Sequence, residues 1–188
     1  MKIAAGLLGA CLLAAACSGP APAAPTVTVT APATRPSADP ATLAWVDGFC
    51  AAIHGYRKRT NAEAVPNPSE PGSVAEAQKA LSEELGGIAA RTGEVVDRLT
   101  ALPQAPVPLA ETVRKAFVTK YTTARDRART AKAALDGAKP DDAASQEPAA
   151  QALERAQQDV DGTYDPVAPL ADAPELVAAA AAAPGCRA

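Results

Sequence analysis

The apolar positions of this chain recur at helical spacing in blocks, separated by breaks rich in proline and glycine. The first block opens at Asp39, a residue type that caps helices, with Pro40 at the first helical position. Leu43, Val46, Phe49 or Cys50, and Ile53 follow at steps of three and four, which predicts a helix ending near Arg59. Asn61 to Ser73 contains Pro66, Pro68, Pro71 and Gly72 and reads as a loop, and Ser73 with Glu76 three residues later forms a capping box. The second helix then carries Val74, Ala77, Leu81, Leu85, Ile88, Thr92, Val95, Leu99 and Leu102 on one stripe, until the prolines between 103 and 108 break it. Val113, Phe117, Tyr121, Ala124, Ala128, Ala131 and Leu135 repeat the spacing in a third helix that Gly137 ends.

A fourth helix is expected from Asp142 to Asp161 with Leu153, Ala156 and Val160 inward, and a short fifth from Asp172-Ala173-Pro174-Glu175 to Pro184-Gly185. No strand pattern competes. Short connections between long amphipathic helices predict an all-α fold, an antiparallel four-helix bundle with a short C-terminal helix, occupying residues 41–188 as one domain.

Upstream of the bundle the pattern changes. Met1-Lys2 gives a positive start, Ile3 to Ala16 is uncharged and mostly apolar, and Cys17-Ser18-Gly19 follows at once. That is the anatomy of an export signal over residues 1–16, and its run of about 14 residues is well short of the roughly 20 that span a bilayer. Leu13-Ala14-Ala15-Ala16-Cys17 resembles a lipobox, which implies diacylglycerol and acyl chains such as palmitate on Cys17. The large aliphatic residue stands one place further out than is usual, at Leu13. Leu8-Gly9-Ala10-Cys11 fits the box better but leaves a very short apolar region, and plain cleavage between Ala21 and Ala24 is a third alternative.

Residues 17–40 are almost wholly Ala, Pro, Thr and Val beyond the cysteine, with Arg35 and Asp39 as the charges, and offer no face to bury. They read as a disordered stalk that reaches up to roughly 70 Å in a proline-favoured extended form, and their Thr and Pro content suits O-glycosylation. Removing the signal deletes Cys11 and lipid takes Cys17, which leaves Cys50 and Cys186 as an even pair for an oxidising compartment to close.

Cys17-Ser18-Gly19, the stalk, a domain opening Trp45-Val46-Asp47-Gly48-Phe49-Cys50 and an ending Pro184-Gly185-Cys186 together resemble small Ala/Pro-rich secreted lipoproteins of actinobacteria. The resemblance implies lipid anchoring at the cell membrane, facing outside the cytoplasm. It transfers no active site.

Composition sharpens the need for a staple. Residues 41–188 hold 25 Leu, Ile, Val and Phe, below the fifth of the chain at which disorder becomes a concern, while 16 basic and 20 acidic side chains leave a net charge of only −4. Alanine inside lets helices approach closely, but such a core is thin, and a bridge between Cys50 and Cys186 offsets it.

Few residues invite chemistry. Cys50 and His54 share a helix face, the spacing of a thiol and an activating imidazole, yet Cys50 has a disulfide partner and His54 is the only histidine, so neither catalysis nor zinc is expected. Glu83 and Glu84 point about 100° apart on a helix and form no acid–base pair. Asp141-Asp142 suit the start of the fourth helix rather than calcium. Gly86-Gly87 and Gly93 interrupt a well-patterned helix and imply close packing or a kink. Trp45, Phe49 and Tyr56 are assigned to the core or its rim.

Charge is less evenly spread. Residues 107–136 carry seven basic side chains against three acidic ones, whereas 139–175 carry nine acidic against two basic. Helical geometry gathers Arg114, Arg125, Arg129 and Lys132 within about 60° into one basic edge, suited either to an anionic partner or to the acidic fourth helix. The functional expectation is a non-enzymatic binding or scaffolding module of the cell envelope. Helices one and three would engage a protein, lipid head group or wall polymer, without metal or cofactor and without nucleic acid. The alternative is a carrier or sensor with a small ligand inside the bundle.

Overall fold

The structure, a computed structural model, describes residues 38–64 and 70–187. Cys11, Cys17, the signal and nearly all of the stalk therefore lie outside the described residues, as does the middle of the first loop. The described chain is helical throughout: α1 Pro40–Glu63, α2 Val74–Thr100, α3 Pro108–Asp136, α4 Gln146–Asp159 and α5 Pro174–Ala182, with short 3-10 turns at Ala143–Ser145, Ala168–Leu170 and Pro184–Cys186. No described helix is long and apolar enough to cross a membrane.

Helix starts follow the local chemistry. The Asp39 carboxylate accepts from the Ala41 and Thr42 amides and from the Thr42 hydroxyl, which also holds its pKa below the ordinary carboxylate value. At α2 Ser73 accepts from the Glu76 amide as the cap, while the Glu76 carboxylate reaches one residue further back than a capping box requires and accepts from the Gly72 amide. Helix one runs one turn beyond the expected Arg59, because nothing breaks it before Pro66 and its last turn is tied by ion pairs from Glu63 to Arg59 and Arg91. The fourth helix begins later than expected, at Gln146, since Asp142 caps a 3-10 turn first.

Helix α2 packs along α3, α3 along α4, and α1 along α2. The remaining flank of α1 is covered by α5 and the C-terminal 3-10 turn rather than by α4. The core runs from Trp45 stacked on Phe49 (ring centroids 5.2 Å apart) through Phe117 (5.1 Å from Phe49) to the edge-on pair Tyr56 and Tyr121, with Leu85, Leu99, Leu135, Leu170 and Leu176 fully enclosed. Alanines at 110, 124, 128, 149, 156, 179 and 180 fill the close approaches.

The inward stripe of α2 turns along its length. At its start Val74 is exposed while Gln78 and Ser82 are buried, because Gln78 donates to the Leu135 carbonyl and Ser82 donates to Asp136. The end of α3 thus meets α2 through polar contacts, and only from Leu85 onward is the seam apolar.

Cys50 and Cys186 are bonded, with Cα atoms 4.8 Å apart and a sequence separation of 136. Closing so long a loop contributes on the order of 5 kcal/mol in the chain-entropy treatment.

Candidate binding surfaces around helix one

The disulfide is one of three ties that seat the C-terminal turn on α1. Asp47, Cys50, Ala51 and His54 lie on one face of that helix at steps of three and four. Asp47 Oδ1 accepts from the Gly185 amide at 2.6 Å, and His54 Nδ1 donates to the Gly185 carbonyl at 2.9 Å. A carbonyl only accepts, so that ring nitrogen carries the hydrogen. Residue 185 must be glycine, since a Cβ there would overlap the Asp47 carbonyl oxygen and crowd Ala51. His54, which sequence spacing pairs with Cys50 as a possible nucleophile couple, is occupied as a clip, and Cys50 has no free thiol.

Beside this clip runs an open groove of about 590 Å³ along α1, lined by His54, Gly55, Arg57, Lys58, Asn61 and Arg187, with Ala51 and Gly185 at its floor. Three cations and an imidazole line it, with no carboxylate side chain among the described lining residues, and Asp47 on the same helix face is held by the Gly185 amide. Arg57 and Arg187 donate weakly to the Tyr164 and Ala182 carbonyls, at 3.3 and 3.4 Å, and form no ion pair with a side chain among the described residues.

The α3 basic edge is differently placed. It lies against α2, where two glycines make room for it: a Cβ on Gly86 would touch the Lys132 stem at 3.4 Å, and one on Gly93 the Arg125 stem at 3.5 Å. Lys132 bonds Asp136 at 2.6 Å and Ser82 at 2.8 Å, Arg125 bonds Asp126 at 2.8 Å, and Arg114 bonds Glu111 at 2.6 Å and the Leu102 carbonyl at 3.3 Å. These ion pairs hold the Asp136, Asp126 and Glu111 carboxyls below their ordinary pKa values. Arg129 is exposed. The bond from α3 to acidic α4 is made outside the edge, by Arg127 to both oxygens of Asp159.

No family model, curated protein or solved structure matches this chain. Among the described residues no group of three or more His, Cys, Asp or Glu side chains is arranged to hold a metal.

Two features of these surfaces are missed by sequence pattern. Arg57, Lys58 and Arg187 come together only because the disulfide returns the chain end to α1, 129 residues after Lys58. Arg91 sits between the inward residues Ile88 and Val95 yet is a cation with a side chain only 11% exposed, and Gly87 is what lets its guanidinium fold back across the helix.

Proposed function

We propose that this chain is a lipoprotein tethered through Cys17 outside the cytoplasm, and that its bundle is a non-enzymatic binding or scaffolding module for an anionic partner of the cell envelope. The observation that carries the binding role is the cationic groove beside the clip, whose described lining holds Arg57, Lys58 and Arg187 and no acidic side chain. Clustered like charge costs the folded state a little and gains nothing within the domain, so its use lies in attracting and orienting an opposite charge. The helix and the disulfide hold the cations on a rigid frame, which limits the entropy lost on docking.

The address is supported by cysteine usage. A closed Cys50–Cys186 bond suits an oxidising compartment and leaves Cys17 available for lipid, within a segment whose composition reads as a stalk. A ligand carried in the interior is the weaker reading, because aromatic and leucine side chains already fill the bundle axis.

The test uses full-length protein. Wild type should be retained on immobilised polyphosphate and elute with rising salt, and Arg57→Gln/Lys58→Gln/Arg187→Gln should elute earlier with its melting temperature unchanged, as these side chains are surface-lying. Cys17→Ala should leave the membrane fraction while keeping that retention. Equal elution of the triple variant and wild type would contradict the groove, and membrane partitioning of Cys17→Ala would contradict the anchor.

A further inference from the structure

The flank where α1 and α4 stand apart holds a second cleft, of about 420 Å³, whose lining residue Tyr164 accepts through its carbonyl from Arg57 of the clip groove. Its lining includes Tyr56, Thr60, Ile88, Arg91, Gln157 and Tyr164. We propose that this cleft binds a neutral saccharide, with the Tyr164 ring as the platform for the sugar's C–H face.

The first ground is where the aromatic side chains lie. The chain has six, and Trp45, Phe49, Tyr56, Phe117 and Tyr121 are all at most 6% exposed, whereas Tyr164 is 42% exposed. A chain this poor in aromatic rings leaves one on its surface, and that one stands at the rim of the cleft. A ring with an apolar face and a hydroxyl edge suits a ligand that is itself apolar on one face and polar around its rim.

The second ground is that the floor is polar where a helix seam is ordinarily apolar. Arg91 and Thr60 line it, and Arg91 Nε is enclosed without a hydrogen-bond partner among the described residues. A pocket of this size with convergent polar groups is of the kind that takes small ligands.

The third ground is charge. Arg91 is neutralised by Glu63, and one oxygen of Glu154 accepts from Gln158 at 3.1 Å, while Asp161 stands near Tyr164 and raises its pKa further beyond the rise that burial causes. An anion entering the cleft meets Glu154 and Asp161, while Arg91, already paired with Glu63, offers no free charge to draw it in. A hydroxyl both donates and accepts, so a polyol matches the mixture of guanidinium, amide, carboxylate and phenol groups without requiring any ion pair to break. Planar guanidinium and amide groups also take two neighbouring hydroxyls side by side.

Full-length protein titrated with maltotriose, cellotriose, mannotriose or chitotriose, and followed by saturation-transfer NMR and calorimetry, tests the assignment. At least one of these sugars should bind with transfer strongest at its ring C–H protons. Tyr164→Ala should weaken that binding about tenfold or more, and Tyr164→Phe should keep it within about threefold, because the ring rather than the hydroxyl is the platform. A Lys58→Gln/Arg187→Gln variant, which leaves the Arg57 bond to the Tyr164 carbonyl in place, should bind the sugar as wild type does. Absence of transfer from all these sugars, or equal affinity in Tyr164→Ala, would overturn the proposal. Saturable binding of glycine or spermidine at Tyr164 in place of any sugar would also overturn it and assign the cleft to a charged ligand.

Discussion

Single residues fix the clip. Gly185 lies so close to α1 that any side chain displaces it from Asp47, and the hydrogen bonds from its amide and to its carbonyl depend on that approach. Gly185→Ala should therefore cost on the order of 2 kcal/mol, as overpacking does, and make the neighbouring disulfide easier to reduce. An unchanged melting temperature and reduction midpoint would refute the close contact. The carboxylates at the two ends of α1 give a second residue-scale expectation. Asp39 and Glu63 have folded-state pKa values lowered, Asp39 by its bonds to Thr42 and Glu63 by its bond from Arg91. Their stabilisation is fully present above the ordinary carboxylate range near pH 4 and is lost as pH falls through the lowered folded values. Asp39→Asn keeps a capping oxygen but does not titrate there, so its acid unfolding limb should be shallower than wild type; identical limbs would count against the cap. Asp39 and Ser73 were readable as caps because capping is local. The tasks of Gly185 and Arg91 were not, because each is defined by a neighbour remote in sequence.

At the scale of elements, the glycines of α2 separate two reasons for a small residue. A Cβ on Gly93 would meet the Arg125 stem at an ordinary 3.5 Å, whereas on Gly87 it would meet the Arg91 Nη1 atom at 3.0 Å. Gly93→Ala should stabilise the bundle by about 0.5–1 kcal/mol through helix propensity and lower unfolded-state entropy. Gly87→Ala should gain less, because the guanidinium must move from its bond with Glu63. Thermal melts of the two variants check the order, and a larger gain at Gly87 would reverse the account. The number of helices, the Ser73 cap and most of the α2 and α3 stripes follow from apolar spacing. Less legible was the start of α2, where Gln78 and Ser82 turn inward to reach the end of α3, since a polar side chain carries no sign in sequence that a carbonyl or carboxylate awaits it. The extra turn of α1 likewise depends on Arg91, which belongs to another helix.

For the whole molecule the decisive element is closure of the ends. A bond across 136 residues gathers α5 and the last turn onto α1, places Arg187 beside Arg57 and Lys58, and leaves α4 to flank α2 and α3. Cys50→Ser and Cys186→Ser should each lower the melting temperature by a similar amount, and the double variant by little more, because either change opens the same loop. Strongly additive losses would argue against one shared bridge. The pairing of Cys50 with Cys186 was legible by counting cysteines. Both clefts were not, since each is assembled from separate elements and only their folded juxtaposition creates it. Two basic surfaces result, one packed on α2 and one open beside the clip, and a single comparison separates them. Binding of full-length protein to immobilised polyphosphate should be measured against salt for wild type, for Arg57→Gln/Lys58→Gln/Arg187→Gln, and for Arg125→Gln/Arg129→Gln/Lys132→Gln, with a thermal melt of each. The account predicts weaker and less salt-sensitive binding with unchanged melting for the first variant, and a lowered melting temperature with retained binding for the second. Loss of binding only in the second variant, with its stability intact, would contradict it.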